Sequence, residues 1–152
     1  MIVEGQIPIK ANRAAIWAAI TNIEQLGESI SGIEKIEVLE RPVQGLVGLR
    51  WRETRMLRDK STTVEKRITH ATEGESYTTR AESDGFAFVT TKKISGNGAD
   101  LTLTETHEFN PQGTVGKILS VLMGIFFKGV IRKAILQDLY DIKVAIEPSA
   151  PA

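Results

Sequence analysis

The stretch from Gly113 to Ile146 constrains this chain more than any other. It is long and largely apolar, with Asn110-Pro111 in front and Pro148 behind. That punctuation predicts one long helix: asparagine can cap, proline at the first helical position has no N–H to lose, and a proline past the end stops the pattern. From Ile131 the apolar residues Ile131, Ile135, Leu139, Ile142 and Ile146 recur at three- and four-residue steps, opposite Lys133, Gln137 and Asp141. One face of this half is therefore buried. Upstream, Ile118 to Phe127 carries no charge on any side, so it is either covered nearly all round or left partly exposed to meet a partner. Projecting the buried stripe backwards at about 100 degrees per residue brings Lys128 and Lys117 onto the core-facing line. Two core-facing lysines are costly, which predicts a break or rotation between Gly124 and Gly129. The first half would then turn Ile118, Leu122, Ile125 and Phe126 inward as a movable cover.

A helix of this kind needs something to pack on. The rest of the chain supplies strands. Ile2 to Lys10 alternates apolar and polar residues, as a half-buried strand does. Asn12 then caps a short helix through Ile20, with Ile16, Trp17 and Ile20 on one side, and a second helical turn follows around Ile23 to Leu26. Ile33 to Leu39 alternates again. Breaks at Arg58-Asp59-Lys60, Glu73-Gly74-Glu75, Asp84-Gly85 and Gly96-Asn97-Gly98 delimit further strands near 46–57, 62–71, 76–83, 86–95 and 100–109. Connections this short make neighbouring strands antiparallel. The expected fold is α+β: a seven-stranded curled antiparallel sheet around a long C-terminal helix, with two short helices after the first strand.

The composition narrows the partners. Nineteen basic and nineteen acidic residues balance, so no net field draws the chain to nucleic acid or to an anionic membrane. With no cysteine there is neither a disulfide nor a thiolate ligand or nucleophile. The uncharged run is about half the length that a membrane-spanning helix needs, and MIVEGQIPIK does not read as a signal peptide. A cytoplasmic protein without an integral membrane segment is expected. At 152 residues and 41% hydrophobic, one core suffices, burying roughly two thirds of the unfolded chain's surface.

The element order and four strings, IPIKANRAAIWAAITNIEQL, GLVGLRWRETRML, GADLTLTETHEFNPQG and DLYDIKVAIE, resemble the START-like or Bet v 1-like (SRPBCC) superfamily. Within it, the resemblance is to the branch of polyketide cyclase and dehydrase homologues. It covers nearly the whole chain and implies a helix-grip fold, with residues 1–147 as one START-like ligand-binding domain and 148–152 as a tail. It also implies a deep, largely apolar cavity between sheet and helix.

Strand parity nominates what faces that cavity. On the third strand Leu49, Trp51 and Leu57 share one parity, which carries Glu53 and Arg55 inward and leaves Arg50, Arg52 and Thr54 to water. On the last strand Leu101, Leu103 and Phe109 carry Glu105 and His107 inward. On the strand before it, Phe86, Phe88 and Ile94 bring Thr90 and Lys92 to the same face. Any bulge would flip the residues beyond it. Trp51, Glu53, Arg55, Ile68, Tyr77, Phe88, Leu103 and His107, with Leu122, Ile125 and Phe126 of the helix, are the candidate ligand-binding residues. Glu53, Glu105 and His107 are the candidate catalytic acid-base groups.

Each has a plainer alternative. Glu53 pairs with Arg55 or Lys92, Glu105 and His107 sit where the last strand reaches solvent, and the aromatics are ordinary core. Lys66 with Arg67, and Lys92 with Lys93, read as solvated sheet residues despite the parity of Lys92. The two histidines, His70 and His107, lie on separate strands with no ligand spacing, so no metal site is expected, and no cofactor motif is present. The leading functional expectation is binding or carriage of a small hydrophobic molecule. The alternatives are an enzyme of the polyketide cyclase, aromatase or dehydratase kind, and a protein-interaction module or homodimer using the uncharged half of the helix.

Overall fold

The computed structural model describes residues 1–57, 59–83 and 85–147, with their side chains apart from those of 57 and 115–127. Seven strands, β1 (Ile2–Ile9), β2 (Ile33–Glu40), β3 (Arg50–Leu57), β4 (Lys60–Thr72), β5 (Ser76–Ser83), β6 (Phe86–Asn97) and β7 (Asp100–Pro111), form one antiparallel sheet in the order β1-β7-β6-β5-β4-β3-β2. Helices α1 (Arg13–Thr21) and α2 (Ile23–Ser29) follow β1, and α3 (Gly113–Ile146) ends the chain. This is the helix-grip arrangement. Because β3 to β7 are joined by short turns, each of these strands pairs with the next, while β2 pairs with β3 across a longer loop and β1 closes on β7.

Local chemistry places the short helices. Asn12 Oδ1 accepts from Ala15 N–H at 2.7 Å and starts α1, while Asn22 Oδ1 accepts from Gln25 N–H at 3.3 Å and starts α2. Ile16 and Ile20 of α1 and Ile23 and Leu26 of α2 go into the core. On α3 the stripe Ile135, Leu139 and Ile142 is buried, and Ile131 and Ile146 pack against the same core. The helix crosses β1 at Gly5, where a Cβ would stand 2.8 Å from Ile135 Cγ2, so only glycine allows that approach.

Three expectations need correction. The expected helix over Gly113–Ile146 is present, but Asn110-Pro111 does not cap it: the pairing of β6 with β7 continues to Phe86 opposite Pro111 and keeps both residues extended. The helix starts after Gln112, where Gly113 takes a φ of +68°. The third strand begins at Arg50 rather than 46. Gly45 and Gly48, at φ +69° and +98°, fold the preceding residues into a loop, with Leu49 C=O accepting from Ile68 N–H at 2.9 Å. The break sought between Gly124 and Gly129 does not interrupt α3, which is helical throughout. The facing of Ile118, Leu122, Ile125 and Phe126, the turn residues Arg58 and Asp84, and the tail 148–152 lie outside the described residues. Among the described residues no helix is long and apolar enough to cross a membrane.

Candidate functional site

Parity survives along the strands that matter because the bulges fall elsewhere. Register shifts occur twice between β2 and β3 and once at Ile68/His70 between β4 and β5, whereas β6 and β7 pair without interruption from Phe86–Pro111 to Asn97–Asp100. The shifts in β2 leave β3 paired continuously with β4. Glu53 and Glu105 are consequently buried, at 4% and 2% exposure.

Rows of cross-strand partners build the interior face. One row runs Gly5, Glu105, Lys92, Tyr77 across β1, β7, β6 and β5. The next runs His107, Thr90, Thr79, Ile68, and a third runs Phe109, Phe88, Ala81, Lys66, Trp51. Charged residues thus stand among apolar ones inside the curl. Water is largely excluded, so they answer each other.

Glu53 Oε2 accepts from Arg55 Nε at 2.8 Å and from Lys66 Nζ at 2.9 Å, and Glu53 Oε1 accepts from the Trp51 indole at 3.4 Å. The other edge of the Arg55 guanidinium donates to Asp138 of α3, Nη1 to Oδ1 at 3.2 Å and Nη2 to Oδ2 at 2.8 Å, a two-point clamp between sheet and helix. Glu105 Oε1 lies 2.5 Å from His107 Nε2, and Glu105 Oε2 lies 3.5 Å from Lys92 Nζ. The Lys92 ammonium is 5.9 Å from the centroid of Tyr77, whose hydroxyl donates to Ile20 C=O at 2.6 Å. Phe88 stacks edge-on against Phe109 at 5.2 Å.

Charge pairing decides the protonation states. Burial alone would raise the Glu53 carboxyl, but Lys66 and Arg55 hold it well below the ordinary carboxylate range. Burial would likewise raise Glu105, yet Lys92 and the His107 hydrogen bond bring it down to about 2. Lys92 and Arg55 are each held protonated, against burial, by the carboxylates beside them. Burial pushes the Tyr77 hydroxyl up to about 12. Asp138 goes the other way: burial raises it, and Arg55, shared with Glu53, offsets that only in part. Asp138 is the carboxyl of this group most ready to take a proton.

The space these groups enclose is small. Among the described residues it amounts to about 20 Å³, enough for one oxygen-sized group. Its polar wall is Glu53, Arg55, Lys66, Thr79, Thr90, Lys92 and Glu105, and Ile23, Leu26, Ile30, Ile33 and Ile36 form the apolar wall opposite, with Trp51 and Tyr77. Of the expected ligand-binding residues, Trp51, Glu53, Arg55 and Tyr77 line it, Ile68 and Leu103 are buried in the surrounding core, Phe88 packs against that core, and His107 is hydrogen-bonded to Glu105. Leu122, Ile125 and Phe126 lie outside the described side chains.

Three site residues were misread or missed. Lys66 is not solvated: it shares the inward parity of Ile68, two residues on, and its ammonium is drawn to Glu53. Lys92 likewise points inward, as Thr90 and Ile94 require. Asp138 was passed over, although it lies three residues after Ile135 and four before Ile142 and so belongs to the buried stripe. His70 faces outward beyond the bulge.

Residues 1–139 match the family described as polyketide cyclase / dehydrase and lipid transport. No protein of curated function matches the chain. Among solved structures, the Zhui aromatase/cyclase from Streptomyces sp. R1128 aligns with a TM-score of 0.77 at 15% identity, covering 96% of this chain and 93% of that one. A START superfamily protein from Mycobacterium smegmatis gives 0.76 at 13% identity over 95% and 96%. The ginseng major latex-like protein 151 from Panax ginseng gives 0.76 at 14% identity over 97% and 98%. At such identities these likenesses speak for the fold, whereas the family match spans nearly the whole sequence. The chain belongs to the polyketide cyclase / dehydrase and lipid transport family.

Proposed function

We propose that the protein binds or carries a small, mostly hydrophobic molecule between the curled sheet and its helices, with the polar end of that molecule held at Glu105 and Lys92. One observation carries this reading: Glu105 is buried and lines the enclosed space, yet among the described residues its Oε2 accepts no hydrogen bond and meets only the Lys92 ammonium, 3.5 Å away. A buried carboxylate oxygen left without a hydrogen bond costs about 1–3 kcal/mol, which a bound group that donates to it returns. Family membership supports the same reading. Since the enclosed space is of oxygen size, an apolar body enters only by parting the walls. The seven-residue helix α2, which contributes Ile23 and Leu26, is the short element that can give way. Molecules extracted from protein purified from its native cells and identified by mass spectrometry test the proposal. A mostly apolar compound near one equivalent is expected, and an extract indistinguishable from that of an unrelated control protein counts against it.

An enzyme of the cyclase, aromatase or dehydratase kind is the second reading, favoured by the 2.5 Å contact between Glu105 and His107. In it Glu105, which lines the enclosed space, takes a proton from substrate, His107 on its other oxygen relays that proton, and Lys92 steadies developing negative charge. Glu53 is a weaker candidate base here, because Arg55, Lys66 and Trp51 already donate to it. Turnover that survives His107→Gln unaltered excludes this mechanism.

A further inference from the structure

The arrangement of unused hydrogen-bonding atoms says which chemical group the site takes, an inference that rests on the ligand-binding reading above. Three carboxyls, Glu53, Glu105 and Asp138, face three cations, Arg55, Lys66 and Lys92, in one interior. The set balances as it stands, so a ligand bringing a full charge would leave one charge uncompensated in a poorly solvated space.

The hydrogen bonds narrow the choice further. Both carboxyl oxygens of Glu53, both of Asp138, and Glu105 Oε1 are engaged, as are the Arg55 nitrogens and Lys66 Nζ. Apart from the Thr79 and Thr90 hydroxyls, which can turn to donate or accept, two charged groups on the pocket wall remain. Glu105 Oε2 accepts no hydrogen bond, and the Lys92 ammonium, 3.5 Å away, donates none among the described residues. An acceptor and a donor therefore stand side by side at an opening of about 20 Å³. A carboxylate would satisfy Lys92 and be repelled by Glu105, and an ammonium would do the reverse. An ether or ketone offers Glu105 no proton. A hydroxyl is the smallest group that serves both.

We infer that the site selects the neutral hydroxyl of an otherwise apolar molecule, an alcohol or a phenol, whose oxygen accepts from Lys92 and whose proton is donated to Glu105 Oε2. The carbon bearing it meets the apolar wall of Ile23, Leu26 and Ile36.

Three probes with one apolar body test this on the full chain: 2-naphthol, 2-methoxynaphthalene and 2-naphthoate, titrated by calorimetry at pH 7, where such a phenol is neutral. Naphthol is expected to bind at least about tenfold tighter than the methyl ether, which keeps the acceptor and loses the donor, and tighter again than naphthoate. Because all three probes meet the unaltered protein, no variant has to fold. Naphthoate binding as tightly as naphthol, or the ether matching it, overturns the hydroxyl assignment and leaves the ligand-binding reading standing. Failure of all three to bind overturns both.

Discussion

Replacing Glu105 by glutamine removes one charge from the interior while keeping the shape, and its effect on stability can be worked two ways. A carboxyl held at about 2 in the folded chain, against 4.5 for a free glutamate, contributes about 3 kcal/mol at neutral pH. Alternatively, the change strands the Lys92 ammonium, only 12% exposed, and breaking a buried pair from one side costs about 3–5 kcal/mol. Both routes give a loss near 3 kcal/mol. The sign with pH follows from the lowered value: the contribution is complete above the unfolded value and disappears as pH falls toward the folded one, to less than about half by pH 3. Urea unfolding of wild type and Glu105→Gln should therefore show a gap that is full at pH 7 and narrows between pH 5 and pH 3. Adding Lys92→Met, which removes the stranded cation, should recover much of the loss and give a coupling of at least about 2 kcal/mol in the cycle. A single-variant loss below about 1 kcal/mol, or strictly additive losses, would refute the claim that these charges hold one another in place.

Three other outcomes follow from close contacts. Gly27→Ala puts a Cβ 2.5 Å from Ile36 Cγ1, so thermal unfolding should show a net loss of about 1–3 kcal/mol despite alanine's better helix propensity. Gly96→Ala, at φ +105° with Asp100 C=O 2.2 Å from the added carbon, should destabilise the β6–β7 turn more than the same change at Gly129, where nothing lies within 4 Å, as hydrogen exchange would report. Tyr77→Phe deletes the buried hydrogen bond to Ile20 C=O and should cost about 1–3 kcal/mol in urea unfolding, because that carbonyl is left without its partner.

The fold was legible because its signals are local. Asn12 and Asn22 cap where their side chains allow, and the glycine turns fix antiparallel neighbours, so element order and sheet topology follow from short strings. The site was legible only where parity runs uninterrupted. Glu53 with Arg55, and Glu105 with His107, lie on strands free of bulges and point as alternation requires. Lys66 was misassigned because a lysine on a polar strand reads as solvated until its partner across space, Glu53, is known. Asp138 escaped for the same reason. An aspartate within a helical stripe is tolerable only if a cation meets it, and Arg55 is 83 positions away in sequence. The misread cap of α3 has a different cause: Asn-Pro reads as a helix cap, yet pairing with Phe86 holds Pro111 in the strand.

The central claim, a ligand held inside the curl, is tested most directly by mapping where a ligand binds in solution. The Trp51 indole N–H borders the enclosed space and donates to Glu53, whereas the exposed groove on the outer face of α3, with Leu136 and Tyr140, is a surface where an apolar molecule could stick unspecifically. Nuclear magnetic resonance of labelled protein titrated with 2-naphthol separates the two. The account predicts saturable shifts at the Trp51 indole, Thr90 and Glu105, with Leu136 and Tyr140 unmoved; shifts confined to Leu136 and Tyr140 would contradict it.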